Sequence, residues 1–228
     1  MVDALALACG NARLDGLTDR PLETVVVDEV PDREELDAVL ARLDGRRLVV
    51  HGRDAALAAV VQRLMRTERL AEVAVGFVPT EPSSQVRTVW GLPEQPERAL
   101  SLALGGTPEP APLIRDDTGG VLVGQGVLGP VRGVIYCDDE LVLRGQASKL
   151  EVSPNPDAGR DTSRDGLTVT LVRTGLLGKR LSHAEGRAVQ IGCIPLIVER
   201  DGLAHQRPVD KWTWYRHTQD WRLVRGLI

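Results

Sequence analysis

The residues best placed to do chemistry lie in one four-residue turn, His51-Gly52-Arg53-Asp54, between a strand-like run and a helix-like run. A strand followed by a glycine turn and a helix N-terminus is an arrangement that binds phosphate, because free backbone N–H groups point at the ligand. The same arrangement also connects strands to helices in α/β folds where nothing binds. The turn therefore leaves two interpretations open, a phosphate site or a plain connection.

Two apolar runs position this turn. Residues 48–50 are apolar and predict a short buried strand. After the turn, apolar residues recur at the spacing of one helix face. They are Leu57, Val60, Val61, Leu64 and Met65. Asp54 stands where an N-cap is expected, because a carboxylate there accepts from the first free backbone N–H groups of a helix.

The first half of the chain alternates strand and helix patterns. Apolar or β-branched runs at 4–9, 24–27 and 73–78 predict further strands. Asp32 and Glu35 form a capping-box pattern that begins one helix, and Ser83 or Ser84 is expected to cap a short helix reaching Trp90. Alternation of this kind predicts a mostly parallel sheet with helices on both faces.

The pattern changes near residue 107, where a Pro-rich stretch begins and helical periodicity almost disappears. Short strand-like runs separated by Gly, Asp and Pro predict an antiparallel sandwich or barrel. These runs are 121–125, 133–137, 140–144, 149–152, 167–173, 188–191, 196–199, 211–216 and 221–224. The predicted fold class is α/β plus all-β: an N-terminal parallel-sheet α/β domain at 1–108, then a C-terminal antiparallel β-sandwich domain at 109–228.

Composition limits the function classes. The net charge of −4 argues against a broad nucleic-acid-binding surface. The cysteines, Cys9, Cys137 and Cys193, are odd in number and far apart, which predicts free thiols instead of a disulfide framework or a zinc site. No apolar run approaches the roughly 20 residues of a membrane span, and the first residues lack the basic start of a signal peptide. We expect a cytoplasmic protein.

Four sequence blocks together resemble the catalytic domain of the diacylglycerol kinase family, which includes bacterial lipid kinases and sphingosine kinases and is related in fold to NAD kinases. The family's GGDGT and following L-x-x-V-V are similar to residues 49–61, where Gly52 matches a glycine and Asp54 the aspartate. Its P-x-GTGND block, ending in G-L-P, is similar to residues 79–93. Its DDGLLDVVLV strand and V-x-V-D-G-E turn are similar to residues 164–172 and 198–203.

Departures from the family pattern fall at the residues that matter for catalysis. Arg53 and Ala55 replace glycines that let the backbone approach nucleotide phosphates, and a side chain there costs about 1 kcal/mol or excludes the ligand. Glu81 stands in the loop where phosphate would lie. Leu203 replaces the glutamate that is the family's presumed general base, and leucine cannot accept a proton.

The resemblance supports two functions. One is a kinase-like protein with degenerate nucleotide-binding loops, with weak or no phosphotransferase activity, that acts as a binding or regulatory module. The alternative is an active lipid kinase that uses ATP and Mg²⁺ to phosphorylate a lipid hydroxyl, with Asp201 as base or metal partner. In either case the nucleotide-facing residues are His51, Gly52, Arg53, Asp54, Glu81, Ser83 and Ser84, and no metal ligand set is assigned.

Other predictions concern partners and single residues. A small-molecule or lipid ligand at the domain seam and a peripheral membrane contact remain open, as does the oligomeric state. Trp212, Trp214 and Trp221 cluster near the end of the sequence, as core residues or as an exposed patch for lipid or a partner. Arg53 and Glu81 should lie on facing loops at the ends of adjacent strands, where their opposite charges favour a salt bridge across the mouth.

Overall fold

A computed structural model describes residues 3–14, 16–17, 21–159, 165–175 and 178–226. The chain divides into two compact units. The first comprises Met1–Ala111 together with Gln219–Ile228, and the second comprises Pro112–Thr218. No helix among the described residues is both long and apolar enough to cross a membrane.

The first unit is an α/β domain built on a six-stranded sheet. Its elements along the chain are β1 (Ala4–Cys9), β2 (Thr24–Val27), α1 (Arg33–Ala41), β3 (Arg47–Gly52), α2 (Asp54–Arg66), β4 (Ala74–Pro79), α3 (Gln85–Val89), α4 (Pro96–Gly105), β5 (Pro108–Ala111) and, from the C-terminal segment, β18 (Trp221–Val224). The strand order is β2-β1-β3-β4-β18-β5, and only β5 runs antiparallel to its neighbour.

Local sequence accounts for the boundaries of these elements. The predicted capping box is present at α1, where Asp32 accepts from the Glu35 amide at 2.9 Å and Glu35 accepts from the Asp32 amide at 3.1 Å. All six residues of β1 and of β3 are buried, as expected for central strands covered on both faces. The buried Arg47 closes the end of α4 by donating to the carbonyl oxygens of Ala103, Leu104 and Gly106.

The last strand lies in the first unit, although its position in the sequence falls within the predicted 109–228 domain. β18 pairs in parallel with β4 and antiparallel with β5. Trp221 is buried and packs edge-on against Trp90, with ring centroids 6.2 Å apart. A strand pattern specifies which residues face the core but not which sheet they join, because pairing partners are chosen by tertiary contacts.

The second unit is an antiparallel β-sandwich. Its strands are β6 (Ile114–Asp116), β7 (Val121–Leu122), β8 (Gly126–Leu128), β9 (Val131–Cys137), β10 (Glu140–Ala147), β11 (Lys149–Pro154), β12 (Leu167–Gly175), β13 (Gly178–Gly186), β14 (Ala188–Leu196), β15 (Val198–Arg200), β16 (Leu203–Ala204) and β17 (Val209–Arg216), with a short 3₁₀ helix at Pro156–Gly159. One sheet has the order β10-β9-β14-β17-β6-β7 and the other β13-β12-β11-β8-β15-β16.

Buried residues from both sheets form one core in the sandwich. Trp212 and Trp214 belong to it, at 1% and 0% exposure, so the core interpretation of these two residues is confirmed. A Cβ on Gly126 would come within 2.5 Å of the Trp214 ring, which explains a glycine in this strand. The predicted fold class, a parallel-sheet α/β domain and an antiparallel β-sandwich domain, is confirmed.

Candidate functional site

The C-terminal ends of the parallel strands β1 to β4 bring together the loops that carry most of the predicted site residues. Because these strands are parallel neighbours in the order β2-β1-β3-β4, the segments that follow them emerge at one edge of the sheet. Glu29 follows β2, Arg53 follows β3 and Glu81 follows β4. The structure therefore brings together three charged side chains that are far apart in the sequence.

His51 is a structural residue of the sheet. Its ring is buried, at 5% exposure, and Nδ1 lies 2.9 Å from the carbonyl oxygen of Val78 on the adjacent strand β4. This contact ties β3 to β4 just before the chain enters the loops. In the described part of the chain the ring makes no hydrogen bond with Arg53, Asp54 or Glu81, so its geometry supports a positioning role at this edge.

Gly52 allows close packing between β1, β3 and α2. A Cβ at this position would lie 2.9 Å from Cys9 Cβ and 3.2 Å from Ala56 Cβ, closer than side-chain carbons normally approach. The glycine is thus explained by packing against the protein's own atoms. Cys9 is enclosed by the same contacts, and burial, with the nearby charge of Glu35, raises the pKa of its thiol to about 12.

Arg53 holds two carboxylates at this edge. Its Nη1 donates to Glu29 Oε1 at 2.8 Å and its Nε lies 2.9 Å from Glu81 Oε1, so one guanidinium bridges the loops after β2 and β4. The side chain is 43% exposed. These two carboxylates raise the pKa of Arg53, and the hydrogen bond to Glu29 makes the largest contribution. The predicted ion pair between Arg53 and Glu81 is confirmed.

Glu29 is the residue that sequence reasoning missed. It reaches Arg53 across β1, and Gly10 makes room for it: a Cβ on Gly10 would lie 3.3 Å from both Cα and Cβ of Glu29. Gly10 also has a φ of +63°, a conformation that favours glycine. One signal was present in the sequence, because Glu29 follows the predicted strand 24–27 by two residues and Glu81 follows the predicted strand 73–78 by three.

Asp54 does not cap its own helix, so its prediction as the N-cap of α2 is wrong. Arg53 is the N-cap residue and makes no side-chain cap there. The Asp54 carboxylate instead accepts from the next short helix, α3: from the Gln85 amide at 2.7 Å, the Val86 amide at 3.2 Å and the Ser84 hydroxyl at 2.5 Å.

Ser84 completes this cap and Ser83 does not take part in it. The buried Ser84 hydroxyl donates to Asp54 and accepts from the Arg87 amide at 3.0 Å, so of the two serines predicted as caps Ser84 is the N-cap of α3. Ser83 is exposed, and its carbonyl oxygen accepts from the Gln85 side chain. The N–H groups that begin α3 are therefore satisfied by Asp54 and Ser84.

Burial controls the acidity of Asp54. The residue is 9% exposed, and desolvation raises the pKa of its carboxyl, with a smaller contribution from the charge of Glu81. The hydrogen bonds from Ser84, Val86 and Gln85 act in the opposite direction and are outweighed. A carboxyl in this position binds the protein's own donors and is poorly placed to organise a solvated cation.

Asp201 lies in the second unit, in the turn between β15 and β16. It is 4% exposed, has a φ of +47°, and accepts from three consecutive amides: Val123 at 3.0 Å, Gly124 at 2.7 Å and Gln125 at 3.1 Å. This carboxylate fixes the segment between β7 and β8. Leu203 is 48% exposed. In the described part of the chain, no group of three His, Cys, Asp or Glu side chains is placed to hold a metal ion.

Comparison with solved structures identifies the fold. The chain is similar to a diacylglycerol kinase from Bacillus anthracis, with a TM-score of 0.70 and 12% identity over 99% of this chain and 97% of that one. A putative diacylglycerol kinase from the same organism gives a TM-score of 0.73 at 11% identity, over 99% and 97% of the two chains. An NAD kinase from Archaeoglobus fulgidus, solved with ATP, gives 0.58 at 16% identity, over 97% and 93%.

These similarities show a fold of the diacylglycerol kinase and NAD kinase type over nearly the whole chain. At 10–16% identity they show the fold alone. No family model matches the sequence, and no curated protein matches it. The resemblance inferred from the four sequence blocks is confirmed at the level of the fold.

Proposed function

We propose that this chain is a kinase-fold protein with degenerate nucleotide-binding loops, which transfers phosphate weakly or not at all and acts as a binding or regulatory module. The observation that carries the proposal is the bridge of Arg53 to Glu29 and Glu81 at the edge where the fold's nucleotide-binding loops lie. In this reading the protein's own side chains occupy the place that phosphates would take.

The excess of negative charge around Arg53 supports this proposal more strongly than the stabilisation that its ion pairs provide. Exposed ion pairs contribute at most about 1 kcal/mol each, so a tightly binding ligand could displace them. However, among the described residues Arg53 is the one cation that pairs with Glu29 and Glu81, and Asp54 lies beside them, so a polyphosphate would meet more carboxylates than cations there. Bringing phosphate oxygens next to Glu29 and Glu81 would place like charges together.

The backbone gives the second argument. Gly52 is packed against Cys9 and Ala56, and the amides that begin α3 are already paired with Asp54 and Ser84. Fewer backbone donors are therefore available to a phosphate than at a glycine-rich loop. We extend the same reasoning to Asp201, whose three amide partners suit a positioning role for residues 123–125 better than proton transfer.

The alternative function, an ATP- and Mg²⁺-dependent lipid kinase, draws its support from the fold neighbours, one of which is described as a diacylglycerol kinase and another of which was solved with ATP. In that case Asp54 and Gly52 would face the nucleotide, and Asp201 would act as base or metal partner. The two functions predict different responses to nucleotide: Mg²⁺ and ATP should stabilise an active kinase and should leave the stability of the degenerate protein unchanged.

The test measures the melting temperature of the full chain with and without Mg²⁺ and ATP. A nucleotide present at 100 times its dissociation constant would stabilise the native state by about 2.7 kcal/mol, which a melting curve detects readily. We expect no change for the wild type. Arg53→Gly combined with Glu81→Gly should begin to admit nucleotide and raise the melting temperature in its presence.

A matched control comes from the other end of the same sheet, where Glu23, just before β2, pairs with Arg42 at 2.6 Å. Glu23 also pairs with Arg46 at 2.5 Å, so Glu23→Gly with Arg42→Gly removes one carboxylate and one arginine from a three-residue ion-pair group, as the test variant does. Nucleotide should leave the melting temperature of this control unchanged. Formation of phosphatidic acid from diacylglycerol by the wild type, dependent on Mg²⁺ and ATP and abolished by Asp54→Ala, would overturn the proposal in favour of the kinase.

A further inference from the structure

One edge of the sandwich is formed by β13, an exposed strand that the sequence pattern did not predict. It is the end strand of its sheet and pairs with β12 along its whole length, from Gly178 opposite Gly175 to Gly186 opposite Leu167. All residues from Gly178 to His183 are exposed, and Leu181 is 59% exposed. The outer side of such a strand presents backbone N–H and C=O groups that another strand can pair with.

The two faces of β13 differ in character. Ala184 is 9% exposed and belongs to the sandwich core, so the even-numbered residues face inward. Lys179, Leu181, His183 and Glu185 therefore lie in a row on the outer face. This row has a cation near one end and an anion near the other, with an apolar residue between them.

We propose that β13 pairs with β13 of a second copy of this chain, antiparallel about a two-fold axis at Ser182. A two-fold axis perpendicular to the sheet makes the pairing symmetric about the residue on the axis. A residue a given number of positions before that residue then lies opposite the partner's residue the same number of positions after it. With the axis at Ser182, Lys179 lies opposite the partner's Glu185, and Glu185 lies opposite the partner's Lys179. The interface then contains two cross-strand pairs of opposite charge, related by symmetry.

Neighbouring registers lack this complementarity. An axis at Leu181 would put Lys179 opposite the partner's His183 and leave Glu185 without a cation. An axis at His183 would put Lys179 opposite the partner's Arg187, and like charges directly opposite each other destabilise a strand pair. A shift by a single residue would place outward side chains of one copy opposite inward side chains of the other.

The surroundings of Glu185 and His183 are compatible with this register. The side-chain amide of Asn155, just after β11 on the interior side of β13, donates to Glu185 Oε2 at 3.2 Å, so pairing with a partner's Lys179 requires this carboxylate to turn toward the edge. The Thr170 hydroxyl contacts His183 Nδ1 at 3.0 Å and holds the ring on the outer face of the sheet. The inference goes beyond the proposed function, because it depends on the sheet edge alone and not on nucleotide or activity.

The test is sedimentation equilibrium of the full chain and of charge-reversed variants. Wild type should show a reversible monomer–dimer equilibrium. Lys179→Glu and Glu185→Lys should each raise the dimer dissociation constant by at least about tenfold, because each creates two like-charged pairs per dimer. The double variant, with both reversals, restores opposite charges in both pairs and should return the constant to within about threefold of wild type.

Lys211→Glu serves as the control, since Lys211 is an exposed lysine on β17, an internal strand of the other sheet. It should leave the dissociation constant unchanged. Hydrogen exchange of residues 178–186 should slow as protein concentration increases, which reports the pairing without any substitution. A chain that stays monomeric throughout, or a double variant that dimerises no better than the single ones, overturns the proposal.

Discussion

Replacement of Asp54 by alanine should destabilise the first unit far more than replacement of an ordinary helix-capping aspartate. Three donors lose their acceptor: the Gln85 and Val86 amides and the Ser84 hydroxyl, all of which contact Asp54 within 3.2 Å. A buried donor without a partner costs about 1–3 kcal/mol. Removing Asp54 also removes the cost of burying its carboxyl, so we take the low end of this range for each of the three donors. The free energy of unfolding of the first unit should therefore fall by about 3 kcal/mol.

Asp32→Ala provides the comparison. Asp32 accepts from one helix amide in an exposed capping box, and its loss should cost about 1 kcal/mol. The assay is hydrogen exchange in increasing urea on peptides from β3 and α2, which isolates the first unit from the sandwich. The amides of α3 should lose protection first in Asp54→Ala. A loss for Asp54→Ala no larger than that for Asp32→Ala would refute the assignment of this carboxylate as the cap of α3.

Two further predictions concern packing and pH. Gly52→Ala should lower the free energy of unfolding of the first unit by about 1–3 kcal/mol in urea, because its Cβ would meet Cys9 at 2.9 Å. Gly105→Ala, where the Cβ would enter open space, should leave stability unchanged or raise it. Equal effects of the two substitutions would contradict the packing argument. Burial and, secondarily, Arg115 lower the pKa of His217, so its contribution to stability is full above the unfolded pKa of about 6.5 and is lost as pH falls through the folded pKa. The advantage of wild type over His217→Gln in sandwich stability should therefore shrink between about pH 7 and 5, and a constant difference would contradict it.

Local sequence determined the helices and most strands of the first unit. The capping box at Asp32 and Glu35, the N-cap at Ser84 and the apolar face of α2 depend on residues within a few positions of each other. Such signals act over one helical turn, so a single sequence contains them in full. The change of periodicity near residue 107 likewise predicted the sandwich.

Sequence patterns did not predict strands that contain few apolar residues. β13 was missed because its residues are small, polar or charged over most of its length, as suits an edge strand. The last strand, β18, was recognised as a strand, but its place beside β4 was not predictable. Pairing of strands about 150 residues apart is decided by which edges and apolar faces remain to be covered once the rest has folded.

The candidate site shows the same division. The sequence alone placed Arg53 and Glu81 at the ends of neighbouring parallel strands, and their opposite charges predicted the ion pair between them. Only the tertiary structure brought Glu29 across β1 to the same guanidinium and turned Asp54 from its own helix toward α3. A hydrogen bond needs its partners within about 3 Å, and residues 24 to 32 positions apart reach that distance only when the fold sets the strand order.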